Sequence, residues 1–281
     1  MGSKITSAQA RAKSLMDQAD EILGYKLSSI MYEGPEERLK ETIFTQPAVY
    51  VHSYLVYDAN KASLAPVAVA GHSLGEITAC VAAGVLSFED GLKLVQVRAE
   101  AMQYACEKNP STMAAILGLE DEVVEGVCDK VEGIVVAANY NCPGQLVISG
   151  SSEAIQEAII LAKEAGARRA LEIPVGGAFH SPLMEPAVEK FTSVITEMDF
   201  KDANIPVYQN VNASAVQDAA IIKGNLIAQI TSPVRWTKSI QQMITDGVDQ
   251  FVEVGGRGKV LMGMVRKISR EVETILWQEE G

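Results

Sequence analysis

Five residues, Gly71-His72-Ser73-Leu74-Gly75, constrain this chain more than any other stretch of it. Ahead of them runs Pro66-Val67-Ala68-Val69-Ala70, a short β-branched and alanine segment. Behind them runs Glu76-Ile77-Thr78-Ala79-Cys80-Val81-Ala82-Ala83, rich in helix formers and free of breakers. The spacing predicts strand, tight turn and helix. A G-x-S-x-G turn in that setting is a nucleophile elbow. The glycines let the backbone turn sharply, so the Ser73 hydroxyl stands above the sheet edge while a helix N-terminus aims N–H groups at it. The chemistry suggested is acyl transfer through a serine ester. An inert Gly/Ser loop is the plainer reading of a bare pentapeptide, and the flanking strand and helix argue against it.

A serine hydroxyl needs a base, and the chain offers three histidines. His72 flanks the nucleophile, and neighbours in an elbow point away from its hydroxyl, which leaves His180 or His52. His180 lies in the loop Gly176-Gly177-Ala178-Phe179-His180-Ser181-Pro182-Leu183-Met184. His52 lies in a predicted helix with Thr45 as N-cap and Pro47 in the first turn, running to about Tyr57. Ser87-Phe88-Glu89-Asp90 reads as a capping box opening a helix to about Cys106. On that helix Arg98 emerges from an apolar stripe of Leu94, Val95 and Met102, so the cation needs an anion. Spacing leaves open whether that anion is a substrate or a structural partner.

Composition narrows the function. A formal net charge of -12 argues against a nucleic-acid or anionic-membrane binder. Cys80, Cys106, Cys128 and Cys142 form no C-x-x-C pair, so reduced thiols are expected and zinc is not. No apolar run approaches the roughly 18 residues of a membrane span, and the N-terminus has no apolar signal region. A soluble, cytoplasmic protein without a metal is expected.

An amphipathic helix is predicted over Ser7 to Leu23, stopped by Gly24. From Thr112 to Val175 the order is β-α-β-β-α-β: strand Met113–Leu117, helix Glu120–Val131, strands Ile134–Tyr140 and Leu146–Ser149, helix Ser152–Ala165 and strand Arg169–Val175. That order predicts a four-stranded antiparallel sheet with two helices on one face, a ferredoxin-like subdomain over 111–176. It is inserted in a larger unit formed by 1–110 and 177–281. After His180 come helix Glu185–Met198, strand Ile205–Val211, helices Ala219–Ile230 and Pro233–Thr245, strand Phe251–Gly255, helix Lys259–Ile268 and strand Thr274–Trp277. The expected fold is α/β, with a mostly parallel sheet of α/β-hydrolase-like type.

With these features in hand, the chain closely resembles the malonyl-CoA:acyl-carrier-protein transacylases of fatty acid synthesis over nearly its whole length. The resemblance is carried by Thr45-Gln46-Pro47-Ala48, Gly71 to Gly75, Ser87-Phe88-Glu89-Asp90, Ala138 to Gln145, Phe179-His180-Ser181-Pro182-Leu183-Met184 and Ser232-Pro233-Val234-Arg235-Trp236. It implies that Ser73 forms a malonyl ester, that His180 is its general base, and that Arg98 grips the malonyl carboxylate. It implies further that a main-chain carbonyl at Gln229 orients the histidine, that the Leu74 N–H serves the oxyanion, and that Phe179 crowds an α-methyl substituent. The implied partners are malonyl-CoA and an acyl carrier protein, which brings its own phosphopantetheine; no other cofactor is expected. The oligomeric state is left open, with a monomer as the working expectation.

Two departures accompany the resemblance. Family members open with a short apolar strand and a Phe-Pro-Gly-Gln-Gly-Ser-Gln-like loop, whose glutamine N–H is the second oxyanion donor, whereas Met1-Gly2 aligns just after that loop. Missing one such donor costs roughly 10²–10³ in rate, so impaired chemistry is an expectation for the sequence as written. The segment Glu253 to Lys259 is one residue longer than the family's turn. Two alternatives stand beside malonyl transfer: a serine esterase or thioesterase on the same elbow and, because of the missing N-terminal loop, a non-catalytic acyl-CoA-binding remnant. Arg257, Lys259, Arg266, Lys267 and Arg270 are expected either to dock an acidic carrier protein or simply to solvate the last helix.

Overall fold

The computed structural model describes residues 2–4, 9–63, 65–256 and 258–277. The helices are α1 (Ala10–Leu23), α2 (Leu27–Glu33), α3 (Glu36–Lys40), α4 (Thr42–Asn60), α5 (Gly75–Ala82), α6 (Phe88–Lys108), α7 (Asp121–Cys128), α8 (Ser152–Glu164), α9 (Glu185–Ile195), α10 (Ala219–Ala228), α11 (Trp236–Thr245) and α12 (Val260–Ile268). The strands are β1 (Val69–Ala70), β2 (Ser111–Leu117), β3 (Val135–Cys142), β4 (Gln145–Ser151), β5 (Arg169–Ile173), β6 (Val207–Tyr208), β7 (Ala215–Val216), β8 (Gln250–Val254) and β9 (Glu273–Trp277). The fold is mixed α/β.

Helix α6 organises the larger part. Ser87 caps it by accepting from the Asp90 N–H at 3.0 Å, and α1, α4, α5 and α9 pack around it. Its Leu94, Val95 and Met102 are buried, and so is Arg98 between them. Gly24 ends α1 in the left-handed conformation, φ 74°, with its N–H on the Asp20 and Glu21 carbonyls. The predicted start of that helix falls partly on residues outside the described set. Helix α4 begins at Thr42, earlier than predicted: Thr45 is inside it, its hydroxyl on the Glu41 carbonyl at 3.0 Å, and Pro47 is in its second turn.

The middle segment forms an antiparallel sheet in the order β3-β4-β2-β5, with α7 and α8 packed against it. Strand alternation divides its side chains between two layers. Ala114, Ile116, Leu146, Ile148 and Ala170 bury against Val124, Val127, Ile155 and Ala158 of the two helices. Met113, Val147 and Ile173 face the other way, toward Phe179 in the His180 loop. A further bridge, Tyr140 N–H to Val234 O at 2.9 Å and Val234 N–H to Ala138 O at 2.8 Å, ties this sheet to the stretch before α11.

The expected largely parallel sheet is corrected by the pairing. Among the described residues parallel ladders are confined to β1 with β6 and β8 with β9, while β7 joins β6 antiparallel. The reason lies in run length. Strand β1 ends at Ala70 because Gly71 begins the elbow, and at the other end Pro206, which has no N–H to donate, precedes β6, so their parallel ladder is two residues long. Among the described residues no helix is long and apolar enough to cross a membrane.

Candidate active site

Ser73 sits between β1 and α5 at φ 53°, in the left-handed region. Gly71 makes this turn possible: a Cβ there would lie 1.9 Å from the Gly75 carbonyl carbon and oxygen. At Gly75 a Cβ would meet nothing within 4 Å, so its backbone is the wall that Gly71 must clear. Asn210, just after β6, bridges the turn by accepting from the Ser73 N–H at 2.7 Å and donating to the Gly71 carbonyl at 2.8 Å. The N–H groups of Gly75, Glu76 and Ile77 are bound to the His72, Ser73 and Leu74 carbonyls. The Leu74 N–H has no acceptor among the described residues.

The loop after β5 brings His180 to the serine. His180 Nε2 lies 2.7 Å from Ser73 Oγ, and Nδ1 lies 2.8 Å from the Gln229 carbonyl oxygen. A carbonyl only accepts, so Nδ1 carries the proton and Nε2 is free to accept from the hydroxyl. Burial, reinforced by the Arg98 charge, lowers the His180 pKa to about 3, so the imidazole is neutral. Ser181 fixes the loop by donating to the Ala178 carbonyl at 2.6 Å.

Arg98 reaches the same hydroxyl from α6. It is 2% exposed, with Nη1 donating to Gln46 Oε1 at 2.6 Å and Nη2 to Gln229 Oε1 at 3.0 Å and Ser73 Oγ at 3.1 Å. Burial lowers its pKa to about 10, against the pull of Glu76, so it stays cationic. Its direct partners are neutral oxygens. A buried cation so placed can hold an anionic acyl group beside a hydroxyl whose proton the imidazole can take.

Gln229 follows α10 and connects the three groups. Besides its contacts to His180 and Arg98, its Nε2 donates to the Ser73 carbonyl at 3.0 Å and to Glu76 Oε2 at 2.8 Å. Glu76 is fully buried, and burial raises its pKa to about 7 against the hydrogen bonds it accepts.

The other predicted residues separate cleanly. Phe179 is half-buried next to His180. His72 turns away from the hydroxyl, its Nε2 2.8 Å from Asn141 Oδ1 and its ring beside Trp236. His52 is buried in α4, and the hydrogen bonds of the site run through His180. Lys259, Arg266, Lys267 and Arg270 are exposed on and beside α12, whereas Arg257 lies outside the described residues. Sequence reasoning missed Gln46, Glu76, Gln209 and Asn210. Gln46 stands out in the sequence only within a helix opening and within the segment Thr45-Gln46-Pro47-Ala48 that carries the resemblance, neither of which points to a contact with Arg98. The Gln209-Asn210 pair, two amides breaking a predicted buried strand, was a usable signal, as was a lone acid opening the apolar α5.

The acyl transferase domain matches residues 1–276. The malonyl CoA-acyl carrier protein transacylase of Bacillus subtilis (strain 168) is 47% identical over 279 residues, 98% of this chain and 88% of the relative. Its counterpart from Staphylococcus aureus (strain MRSA252) is 41% identical over 94% of this chain and 86% of its own length. The crystal structure of an acyl carrier protein S-malonyltransferase from Vibrio cholerae O1 superposes with a TM-score of 0.94 at 39% identity, over 99% of this chain and 92% of the other. A malonyl-transacylase solved in complex with its type II PKS acyl-carrier protein gives 0.94 at 35% identity, over 98% of this chain and 90% of the other. The chain therefore belongs to the acyl transferase family, among the malonyl CoA-acyl carrier protein transacylases.

Proposed function

We propose that the chain transfers the malonyl group of malonyl-CoA to the phosphopantetheine thiol of an acyl carrier protein, through an ester on Ser73. The observation that carries the assignment is the meeting of two groups at one hydroxyl: His180 Nε2 at 2.7 Å and Arg98 Nη2 at 3.1 Å from Ser73 Oγ. In the first half-reaction His180 takes the hydroxyl proton as Oγ attacks the thioester carbonyl. The Leu74 N–H meets the oxyanion, and the Gln229 carbonyl steadies the imidazolium. The imidazolium then protonates the departing coenzyme A thiolate. In the second, the carrier thiol gives its proton to His180 and attacks the ester, and Ser73 recovers the proton. Arg98 holds the malonyl carboxylate with donors that otherwise contact Gln46, Gln229 and Ser73. Phe179 crowds an α-substituent.

No resident cofactor takes part in this scheme. Three buried thiols, Cys80, Cys128 and Cys142, suit a reducing compartment, and we place the reaction in the cytoplasm. The strand order β3-β4-β2-β5 with α7 and α8 supports a ferredoxin-like subdomain over 111–176. The β1, elbow, α5 succession supports an α/β-hydrolase-like unit over 1–110 and 177–281. Lys259, Arg266, Lys267 and Arg270 are the docking cations for the carrier. Incubation with malonyl-CoA tests the scheme. Mass spectrometry should find a malonyl ester on the Ser73 peptide, absent from S73A and discharged by holo carrier protein; no ester on Ser73 would sink it.

A further inference from the structure

We infer that Glu76 is a positioning residue for the transfer reaction, holding Gln229 so that His180, Arg98 and Ser73 keep their mutual geometry. The inference rests on the roles proposed above for Ser73 and His180. A carboxylate at 0% exposure on an otherwise apolar helix face is costly unless its lone pairs are filled. Here they are. Oε1 accepts from Gln209 Nε2 at 2.9 Å, and Oε2 accepts from the Asn210 N–H at 3.0 Å and from Gln229 Nε2 at 2.8 Å. All three donors arrive from the far half of the chain, so Glu76 staples that half beneath the elbow.

What Glu76 grips is significant. The Gln229 amide is held at its NH₂ end by Glu76 Oε2 and the Ser73 carbonyl, and at its oxygen end by Arg98 Nη2. The backbone carbonyl of the same residue fixes His180 Nδ1. The next residue gripped, Asn210, supports the elbow through the Ser73 N–H and the Gly71 carbonyl. One carboxylate therefore sets the register of base, acyl-binding cation and nucleophile without touching any reacting atom, and misplacement by about 1 Å costs a site of this kind on the order of 10² in rate.

The test separates reach from charge. E76D keeps the charge but withdraws the oxygens by about one C–C bond, ~1.5 Å. E76Q keeps an oxygen at the Oε2 position; Gln209 turns its amide to accept from the new NH₂, and Asn225, whose Nδ2 donates to Gln209 Oε1 at 2.6 Å in the parent, turns its own amide to accept in its place. Expected for E76D is a kcat for Ser73 malonylation at least about tenfold lower, KM within about twofold, and an upfield shift of the His180 Nδ1–H proton resonance. Expected for E76Q is a kcat within about fivefold of the parent and an unmoved resonance. A folded E76D at parental kcat overturns the inference. So does the reverse ranking, E76D fast and E76Q slow, which assigns Glu76 as a mere countercharge. Slowing of both variants with KM changes that track lost stability also overturns it. Should E76D not fold, E76Q decides alone, since loss of its kcat or its Nδ1–H resonance refutes positioning by reach. Failure of the parent protein itself to acylate Ser73 counts instead against the proposed function.

Discussion

Arg98 Nη2 donates to Ser73 Oγ across 3.1 Å, so the cation assigned to the acyl group also touches the atom assigned to attack it. The guanidinium is fully buried and otherwise bound to two amide oxygens. A carboxylate supplies what those neutral partners do not, a matching charge and two parallel acceptors. Charge-assisted hydrogen bonds contribute about 1.5–3 kcal/mol each, so R98A should lower kcat/KM for malonyl-CoA by about 100-fold or more. The same variant should lose less than about tenfold with acetyl-CoA, which brings no carboxylate. Parallel measurement of the two thioesters checks this, and equal losses would refute selection by Arg98.

The same proximity sets the pH behaviour. Burial and then the Arg98 charge bring His180 down to about 3 from its ordinary 6.5. Between those values the folded protein binds fewer protons than the unfolded chain, so the contribution of this group to stability is complete above pH 6.5 and is lost as pH falls toward 3. For activity, kcat/KM of Ser73 acylation should run through pH 6.5 without an acid limb, because the free enzyme keeps its imidazole neutral there. Burial raises Glu76 to about 7, and with the proton on Oε1 and the Gln209 and Asn225 amides turned to match, Oε2 still accepts from Gln229, so Glu76 should add no limb of its own. Removing the neighbouring cation in R98A should move the acid limb upward, read with acetyl-CoA across pH 4 to 8 on the order of one unit or more. A parent limb centred near 6.5 would show an unperturbed base.

How legible these features were depended on how local their causes are. The elbow was readable because Gly71 has one conformational reason to be glycine, and α6 because Ser87 caps it with a side chain three residues from its donor. Arg98 was readable as an anomaly, a cation in an apolar stripe, though spacing left its partner open. The middle sheet was readable because alternation and turn signals fix antiparallel neighbours close in sequence. Illegible were interactions made by generic groups. The carbonyl of Gln229 has no side-chain signature, so its role came from the family resemblance, and Glu76 passed for an ordinary helix former. Pairing of β1 with β6 and of β8 with β9 joins distant segments, and the alternation of strands and helices overstated how much parallel sheet they would make.

The two glycines of the elbow should respond oppositely to alanine. At Gly71 the added Cβ would sit 1.9 Å from the Gly75 carbonyl group and 2.4 Å from the Glu76 nitrogen, all backbone, so the turn itself must open. G71A is expected to destabilise by about 3 kcal/mol or more and to abolish Ser73 acylation. At Gly75, the first residue of α5, the same group points into open space, and alanine is the better helix former by about 1 kcal/mol. G75A should therefore fold at least as stably as the parent by denaturant titration. A G71A protein with parental stability would contradict the geometry of the turn.

Carrier docking makes the last expectation, because a chain of net charge -12 must present local positive potential to an acidic partner. Lys259 opens α12 in the left-handed conformation, φ 64°, and Arg266, Lys267 and Arg270 follow on its exposed side and just beyond its end. The helix is held from beneath by Glu253, whose carboxylate accepts from the N–H groups of Val260, Leu261 and Met262 at 2.8–3.2 Å. Arg266 and Lys267 hydrogen-bond to neutral partners, Thr274 Oγ1 at 2.7 Å and Gln145 Oε1 at 3.2 Å, so their charge remains available. Reversal of both charges in K259E/R266E should raise the carrier-protein KM about tenfold or more at low salt. The KM for malonyl-CoA should stay within about twofold, and the difference should shrink as ionic strength rises. An unchanged carrier KM at low salt would move docking away from α12 and leave these cations as solvation for the last helix.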